Sequence, residues 1–268
     1  MLPVYEKVIH RMRCWKAMQE QALLQTAQPL LAWYPLHARD LPWRHTQEPY
    51  RIWLSEIMLQ QTRVEAVKNH YARFLEPFPD IAALAAAEQD QVNKCWEGLG
   101  YYSRAANLRK AAQTIQEQYG GLFPRTWEEV RGLAGVGDYT AGAVCSICYG
   151  LPTPAVDGNL LRVAARVMNH FCEIDRPEQK AAVTALLRQV YLDNPEHCGT
   201  LTQAFMEIGA TVCVPNGQPH CEACPLSELC LGRQYCDALR LPQRTAKKAR
   251  RQEQYTVFVL QCDGKFAL

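Results

Sequence analysis

An all-α fold is predicted by three features of the sequence. Apolar residues recur at helical spacing over most of the 268-residue chain. Glycine and proline clusters divide that pattern into segments of helix length. β-type patterning enters only near the C-terminus, from Tyr255 onward. About half the residues are apolar (48%), enough for a substantial core in one large domain or two small ones.

Val4 to Leu24 reads as one or two amphipathic helices, and Leu30 to Tyr34 continues the pattern. Residues 35–50 read as loop, because Pro35, Pro42 and Pro49 interrupt the periodicity. From Tyr50 the pattern is helical again, with Ile52, Trp53, Ile57, Met58, Val64 and Val67 at spacings one helix face allows. Residues 81–95 predict short helices around Leu84, Ala86 and Val92. Gly98 to Tyr102 is a turn entering a helix over 103–119, which Gly120-Gly121 caps. Further helices are predicted over 160–171, 178–192 and 199–212. Residues 244–251, RTAKKARR, hold five basic residues in eight and read as a solvated linker. Tyr255 to Leu260 reads as a strand and Asp263-Gly264 as a hairpin turn. A lone hairpin is marginal in water, so these residues are expected to open a β domain of which little is present.

The net charge of +2 permits a nucleic-acid partner only through a local basic face. No apolar run approaches the ~18 residues of a membrane span. Residues 1–28 lack the apolar core of a secretion signal and read as a helical extension. The expected setting is the cytoplasm or the nucleus, with no membrane partner, and the expected state is a monomer.

The stretch LAGVGDYTAGAVCSICYGLPTPAVDGN, residues 133–159, is central. Gly135-Val136-Gly137 makes a tight turn, and Asp138-Tyr139-Thr140 start the next helix. Unsatisfied N–H groups at such a helix start form an anion site, and phosphate is the obvious anion. An ordinary helix–turn–helix fits the same residues.

Four of the twelve cysteines crowd into residues 213–230. Seven residues separate Cys213 from Cys221, two separate Cys221 from Cys224, and five separate Cys224 from Cys230. Such crowding in a loop points to metal or cluster ligation in a reducing compartment. Four thiolates suit either Zn²⁺ or a [4Fe–4S] cluster. Cys145 and Cys148 lie on an apolar helical stretch and read as small core residues.

Glu56 sits among Trp53, Leu54, Ile57, Met58 and Leu59. Desolvation favours its protonated form, which suits proton donation. Taken alone, such a glutamate is more often an arginine's partner, and Asp157-Gly158-Asn159 is more often a plain helix cap. Together the two carboxylates meet the needs of glycosidic bond cleavage. One protonates the leaving group, and the other stabilises an oxocarbenium-like centre.

With these pieces in place, roughly residues 38–240 resemble the helix–hairpin–helix DNA glycosylases that carry an iron–sulfur cluster. Within them the chain is most similar to the MutY-type adenine glycosylases. The resemblance rests on Leu41-Pro42-Trp43-Arg44, on residues 49–62 (PYRIWLSEIMLQQT), on Gly98 to Arg104, on the glycine turn and on Ala155 to Asn159. It implies excision of adenine mispaired with 8-oxoguanine or guanine in duplex DNA, after the base is flipped from the stack. It also implies a six-helix barrel over residues 44–154 and a cluster domain over 155–240. Residues 1–43 would pack with the cluster domain, and 241–268 would be linker and truncated β domain. Duplex DNA would bind in the cleft between the two helical domains.

Residue by residue, the resemblance makes Glu56 the acid that protonates adenine and Asp157 the carboxylate that stabilises the sugar cation. Asn159 would position the sugar and nucleophile. Tyr139 stands where related lyases carry a nucleophilic lysine, which implies a monofunctional enzyme. Gln61 and Tyr101 would wedge into the stack. Arg44 and Gln203 would lie near the flipped adenine. Gly135, Val136 and Gly137 would hold a phosphate, and Cys213, Cys221, Cys224 and Cys230 a [4Fe–4S] cluster.

The chain departs from the pattern at three places. The loop between the first two cysteines is one residue longer than usual, and Ala134 replaces a common proline. The resemblance also leads one to expect a C-terminal β domain that helps recognise 8-oxoguanine, most of it absent here, and hence a weaker preference for 8-oxoguanine over guanine. The competing readings are a thymine-mismatch glycosylase, an endonuclease III-like lyase and a non-catalytic iron–sulfur DNA-binding module.

Overall fold

Several helix ends in the computed structural model follow caps that the sequence supplies. The structure describes residues 4–246, 252–256, 259, 261–263 and 265–266, with no side-chain description for 4–11, 261, 262, 265 and 266. Its helices are α1 (Val4–Leu24), α2 (Ala27–His37), α3 (Pro49–Leu59), α4 (Val64–Leu75), α5 (Ile81–Ala86), α6 (Gln89–Cys95) and α7 (Ser103–Gln118). They continue as α8 (Trp127–Gly132), α9 (Asp138–Tyr149), α10 (Gly158–Val167), α11 (Pro177–Leu192), α12 (Cys198–Thr211) and α13 (Leu231–Gln234). The fold is all-α, as the periodicity predicts.

The caps are local chemistry. Glu48 accepts from the amides of Tyr50 and Arg51, and Pro49 opens α3 at a position that needs no N–H donor. Thr126 and Glu129 form a capping box on α8. Gly150 ends α9 in the left-handed conformation.

Two apolar cores lie side by side. The first runs from Leu41 to Ala155 and is built by α3 to α9, with Trp53, Phe74 and Trp96 at its centre. The second joins Ala22 to Trp33 of α1 and α2 with Val156 to Leu231, from α10 through α13. Helix α12 links them, packing on α2 on one side and on α9 on the other. At that seam Thr202 Oγ1 lies 2.7 Å from Ser146 Oγ and 2.9 Å from the Tyr191 hydroxyl. A Cβ on Gly199 would come within 3.1 Å of Ile147 Cα and of the Ser146 carbonyl, so a side chain there would press α12 away from α9 by a few tenths of an ångström.

Several boundaries differ from expectation. Helix α2 continues through Pro35 to His37. Proline there loses one hydrogen bond in the last turn, and the Ala38 amide still closes onto the Tyr34 carbonyl at 2.9 Å. Pro42–Arg44 forms a short 3-10 turn, and Pro49 starts a helix where loop was expected. The helix predicted to reach residue 171 ends at Val167. Asn169 takes φ 51°, and the His170 amide bonds back to the Ala165 carbonyl at 2.8 Å, a helix-ending geometry that asparagine tolerates. Of the basic run, Arg244, Thr245 and Ala246 are exposed, and residues 247–251 lie outside the described residues. In the expected strand, Tyr255, Thr256 and Val259 are exposed and unpaired with any strand, and residues 257, 258 and 260 lie outside the described residues. Gly264 of the expected turn also lies outside them; Gln261–Cys262 pairs antiparallel with Lys265–Phe266 around Asp263. Among the described residues no helix is long and apolar enough to cross a membrane.

Candidate active site

The seam between the two cores opens into a cavity of about 700 Å³. Helix α3 sends Glu56 into it, the first turn of α9 sends Tyr139, and the start of α10 supplies Asp157 and Asn159. Arg44, Gln61 and Gln203 complete the expected residues that line it. The two carboxylates therefore face one space large enough for a purine.

Their surroundings differ. Glu56 is buried, and desolvation raises its carboxyl from 4.5 to about 7. A hydrogen bond from Tyr139 opposes that rise, the Asp157 charge adds to it, and Arg44 pulls it back. The Tyr139 phenol is pushed far up by burial and by both carboxylates, so it stays a neutral donor. Asp157 is only half buried and caps α10, accepting from the amides of Asn159 at 2.9 Å and Leu160 at 2.8 Å. The Asn159 side-chain amide donates to its other oxygen at 2.9 Å. Three donors thus hold Asp157 oriented. An acid that keeps its proton near neutrality beside an oriented carboxylate can carry out acid-assisted cleavage of a glycosidic bond.

Arg44 is anchored from behind. The Glu207 carboxylate of α12 is fully buried and receives Arg44 Nη2 at 2.6 Å and Arg39 Nε at 2.8 Å. Burial alone would raise Glu207, but hydrogen bonds from Arg39 and Arg44 overcome it and hold the group at about 2. Gln203 accepts a short hydrogen bond from the Tyr34 hydroxyl.

Gln61 and Tyr101 both have left-handed backbone, with φ 56° and 47°. Such conformations cost about 1–3 kcal/mol in residues with side chains and collect at functional sites. Arg104, buried beneath them, braces both turns. Its Nη1 donates to the carbonyls of Ile57, Met58 and Gln60, and its Nη2 to those of Leu99 and Gly100 and to Thr62 Oγ1. Tyr101 is 63% exposed and stands over Arg104, outside the residues that line the cavity. The glycine turn also lies outside them. Gly135 and Gly137 are exposed and Val136 is buried. Gly135 has φ 74°, and a Cβ there would meet Asn107 Cβ at 2.8 Å.

Residues 54–189 match the HhH-GPD superfamily of base excision DNA repair proteins. The chain belongs to this superfamily. Among curated proteins it is 42% identical to the adenine DNA glycosylase of Homo sapiens over 214 residues, 76% of this chain and 39% of that protein. The adenine DNA glycosylase of Schizosaccharomyces pombe is 37% identical over 231 residues, 79% of this chain and 50% of that protein. The chain thus spans half or less of the length of these two relatives. Among solved structures, a thermostable thymine-DNA glycosylase is 27% identical with TM-score 0.71, covering 81% of this chain and 98% of that one. Endonuclease III in a non-covalent DNA complex shares the fold, with TM-score 0.67 at 23% identity, over 81% of this chain and 97% of that one.

In this HhH-GPD chain Cys213, Cys221, Cys224 and Cys230 line one small cavity together with Arg166 and Leu226. Burial pushes the thiols of Cys224 and Cys230 up, to about 12 and about 11. Arg166 Nη1 lies 3.3 Å from Cys213 Sγ. Among the described residues no three His, Cys, Asp or Glu side chains gather closely enough to hold a single metal ion.

Glu207, Arg39, Arg104 and Arg162 have no assigned role in the sequence reading. Glu207 had a signal, since Phe205-Met206-Glu207-Ile208 surrounds a carboxylate with apolar residues just as at Glu56. Arg162 joins Asn159 to the cysteine loop: Nη1 donates to Asn159 Oδ1 at 2.9 Å, and Nε to the Cys213 carbonyl at 2.9 Å.

Proposed function

We propose that this chain is a monofunctional DNA glycosylase that removes adenine mispaired with 8-oxoguanine or guanine from duplex DNA. The observation that carries the reading is the shared cavity of Glu56 and Asp157, with Glu56 raised to about 7. Kinship with adenine DNA glycosylases supports the choice of base. In this reading the duplex lies across the seam between the two cores. Residues 44–154 form the barrel domain, and 155–240, with residues 1–43, form the second.

The flipped adenine enters the cavity and protonated Glu56 donates to its ring. Electron density moves from the glycosidic bond into the base, which leaves as neutral adenine. Asp157, aimed by Asn159, stabilises the positive charge left on the sugar. Water then completes the hydrolysis to an abasic site. Tyr139 supports Glu56 by hydrogen bonding and, as a phenol, forms no Schiff base with the sugar. Gln61 and Tyr101 on their braced turns wedge the stack open, Arg44 and Gln203 border the base, and the amides of Gly135 to Gly137 hold a phosphate.

Cys213, Cys221, Cys224 and Cys230 would hold a [4Fe–4S] cluster. Four thiols around one cavity fit a group that takes four thiolate ligands. Held by these four thiolates, such a cluster would crosslink the loop of residues 213–230 to itself, while Arg162 and Arg166 of α10 donate to the Cys213 and Val214 carbonyls. The expected preparation is brown with broad visible absorption; a colourless one holding one zinc would remove the cluster from the reading.

Single-turnover assays on a duplex with adenine opposite 8-oxoguanine test the function. Wild type should release adenine, and Glu56→Gln and Asp157→Asn should each lose at least ~10²-fold in rate while still binding DNA. Release by both variants at the wild-type rate, or release of thymine opposite guanine in preference to adenine, refutes the reading.

A further inference from the structure

The segment after Leu241 doubles back along the loop before α11 and is clasped to it. The Ile174 amide donates to the Gln243 carbonyl at 3.1 Å, and Glu173 and Gln243 form a parallel bridge. Two residues on, the Thr245 amide and hydroxyl donate to the two oxygens of Asp175, at 3.0 and 2.6 Å. These bonds flank Arg244 on both sides and set its backbone in place.

The Arg244 side chain points toward the seam. Its Nη2 lies 3.6 Å from where a Cβ on Gly158 would stand, one residue beyond Asp157. Arg244 shares a cavity of about 440 Å³ with Arg162, Arg166 and the cysteine loop at Pro215 and Gly217. The two inner arginines are buried and committed. Arg162 donates to Asn159, Gly209 and Cys213, and Arg166 to Leu241, Cys213 and Val214. Arg244 is exposed, and its charge acts on the Asp175 carboxylate, both of whose oxygens Thr245 already engages. An exposed guanidinium on an anchored backbone, with two positive charges behind it, is a site for an anion with several oxygens.

We propose that Arg244 grips the DNA phosphate adjoining the nucleotide whose sugar faces Asp157, a second phosphate contact separate from the glycine turn. The proposal rests on the reading of this chain as a duplex-DNA glycosylase. The nucleotide's own phosphates lie within one backbone repeat of that sugar, and Gly158, having no side chain, leaves the approach to Arg244 clear. The contact fixes register without reading bases.

The test measures binding of a duplex with adenine opposite 8-oxoguanine by fluorescence anisotropy over a salt series, in a Glu56→Gln background that leaves the duplex intact. Arg244→Ala should weaken binding about three- to tenfold, to matched and mismatched duplexes alike, and lower the log–log salt slope by about one. Arg244→Lys should restore most of the salt slope. Lys16→Ala, the same charge change on exposed α1, should leave affinity and slope unchanged. Unaltered affinity and slope in Arg244→Ala overturn the proposal, as does an equal loss in Lys16→Ala. Adenine release by the Glu56 enzyme is scored separately. A lowered slope without adenine release upholds the phosphate contact and refutes adenine excision; failure to bind any duplex overturns both.

Discussion

Asn159 holds Asp157 from two directions, its backbone amide on one carboxylate oxygen and its side-chain amide on the other, both at 2.9 Å. A hydrogen bond to a charged group contributes roughly 1.5–3 kcal/mol. Asn159→Ala should therefore slow base release about 10- to 100-fold through misorientation of Asp157, with duplex affinity changed less than about threefold. Single-turnover rates beside anisotropy titrations separate the two effects; equal losses in both would assign Asn159 to DNA binding instead.

The raised carboxyl of Glu56 predicts a pH profile. Below about 7 the group carries the proton that the base needs, and above it the proton is lost. Base release under single-turnover conditions should fall tenfold per pH unit above that value. A rate that stays flat up to pH 9 would place the acid elsewhere.

The same shift acts on stability. Folded Glu56 retains its proton to about 7, whereas in the unfolded chain it ionises near 4.5. The unfolded state thus binds fewer protons between those values, and stability falls as pH rises through that window by about 3 kcal/mol. Glu56→Gln removes this loss. Thermal melts should show the variant gaining on wild type between pH 4 and 8; parallel curves would contradict the burial of this group.

Truncating Glu207 should be costly. Glu207→Ala strands the Arg39 and Arg44 guanidinium groups that converge on it. Breaking a buried pair from one side costs about 3–5 kcal/mol. A melting point lowered by roughly 10 °C is expected, with slower adenine release because Arg44 loses its anchor. A double cycle with Arg44→Ala should show strong non-additivity.

Arg104→Lys tests the brace under the two left-handed residues. Lysine offers one point donor where the guanidinium reaches two turns at once. Stability should drop by about 2–3 kcal/mol and duplex affinity should fall, as Gln61 and Tyr101 lose their set backbone. Unchanged affinity would mean that neither residue meets DNA.

The parts of the site written as local chemistry were legible in the sequence. Glu56 announces itself as an acid in an apolar helix, and Asp157 follows a glycine turn and precedes an apolar helix. The parts built by long-range pairing were not. Glu207 meets Arg44 across 163 residues, and no spacing rule connects them. Arg104 closes one of the motifs that carry the resemblance, but its bracing role is not legible there, because its partners are mainly backbone carbonyls, which every residue supplies. Helix α2 running through Pro35 shows the complementary limit. A proline near a helix end removes one bond, which packing of Leu30 and Trp33 into the second core outweighs.

The seat of α12 on α9 has a mechanical consequence. Gly199 brings the two backbones into contact, and the hydroxyls of Ser146, Thr202 and Tyr191 rivet the joint. Walls joined this way resist swinging apart like a jaw. Under the proposed function, deformation would then fall to the nucleic acid, and steps that unstack easily should be processed faster than stiff ones carrying the same lesion.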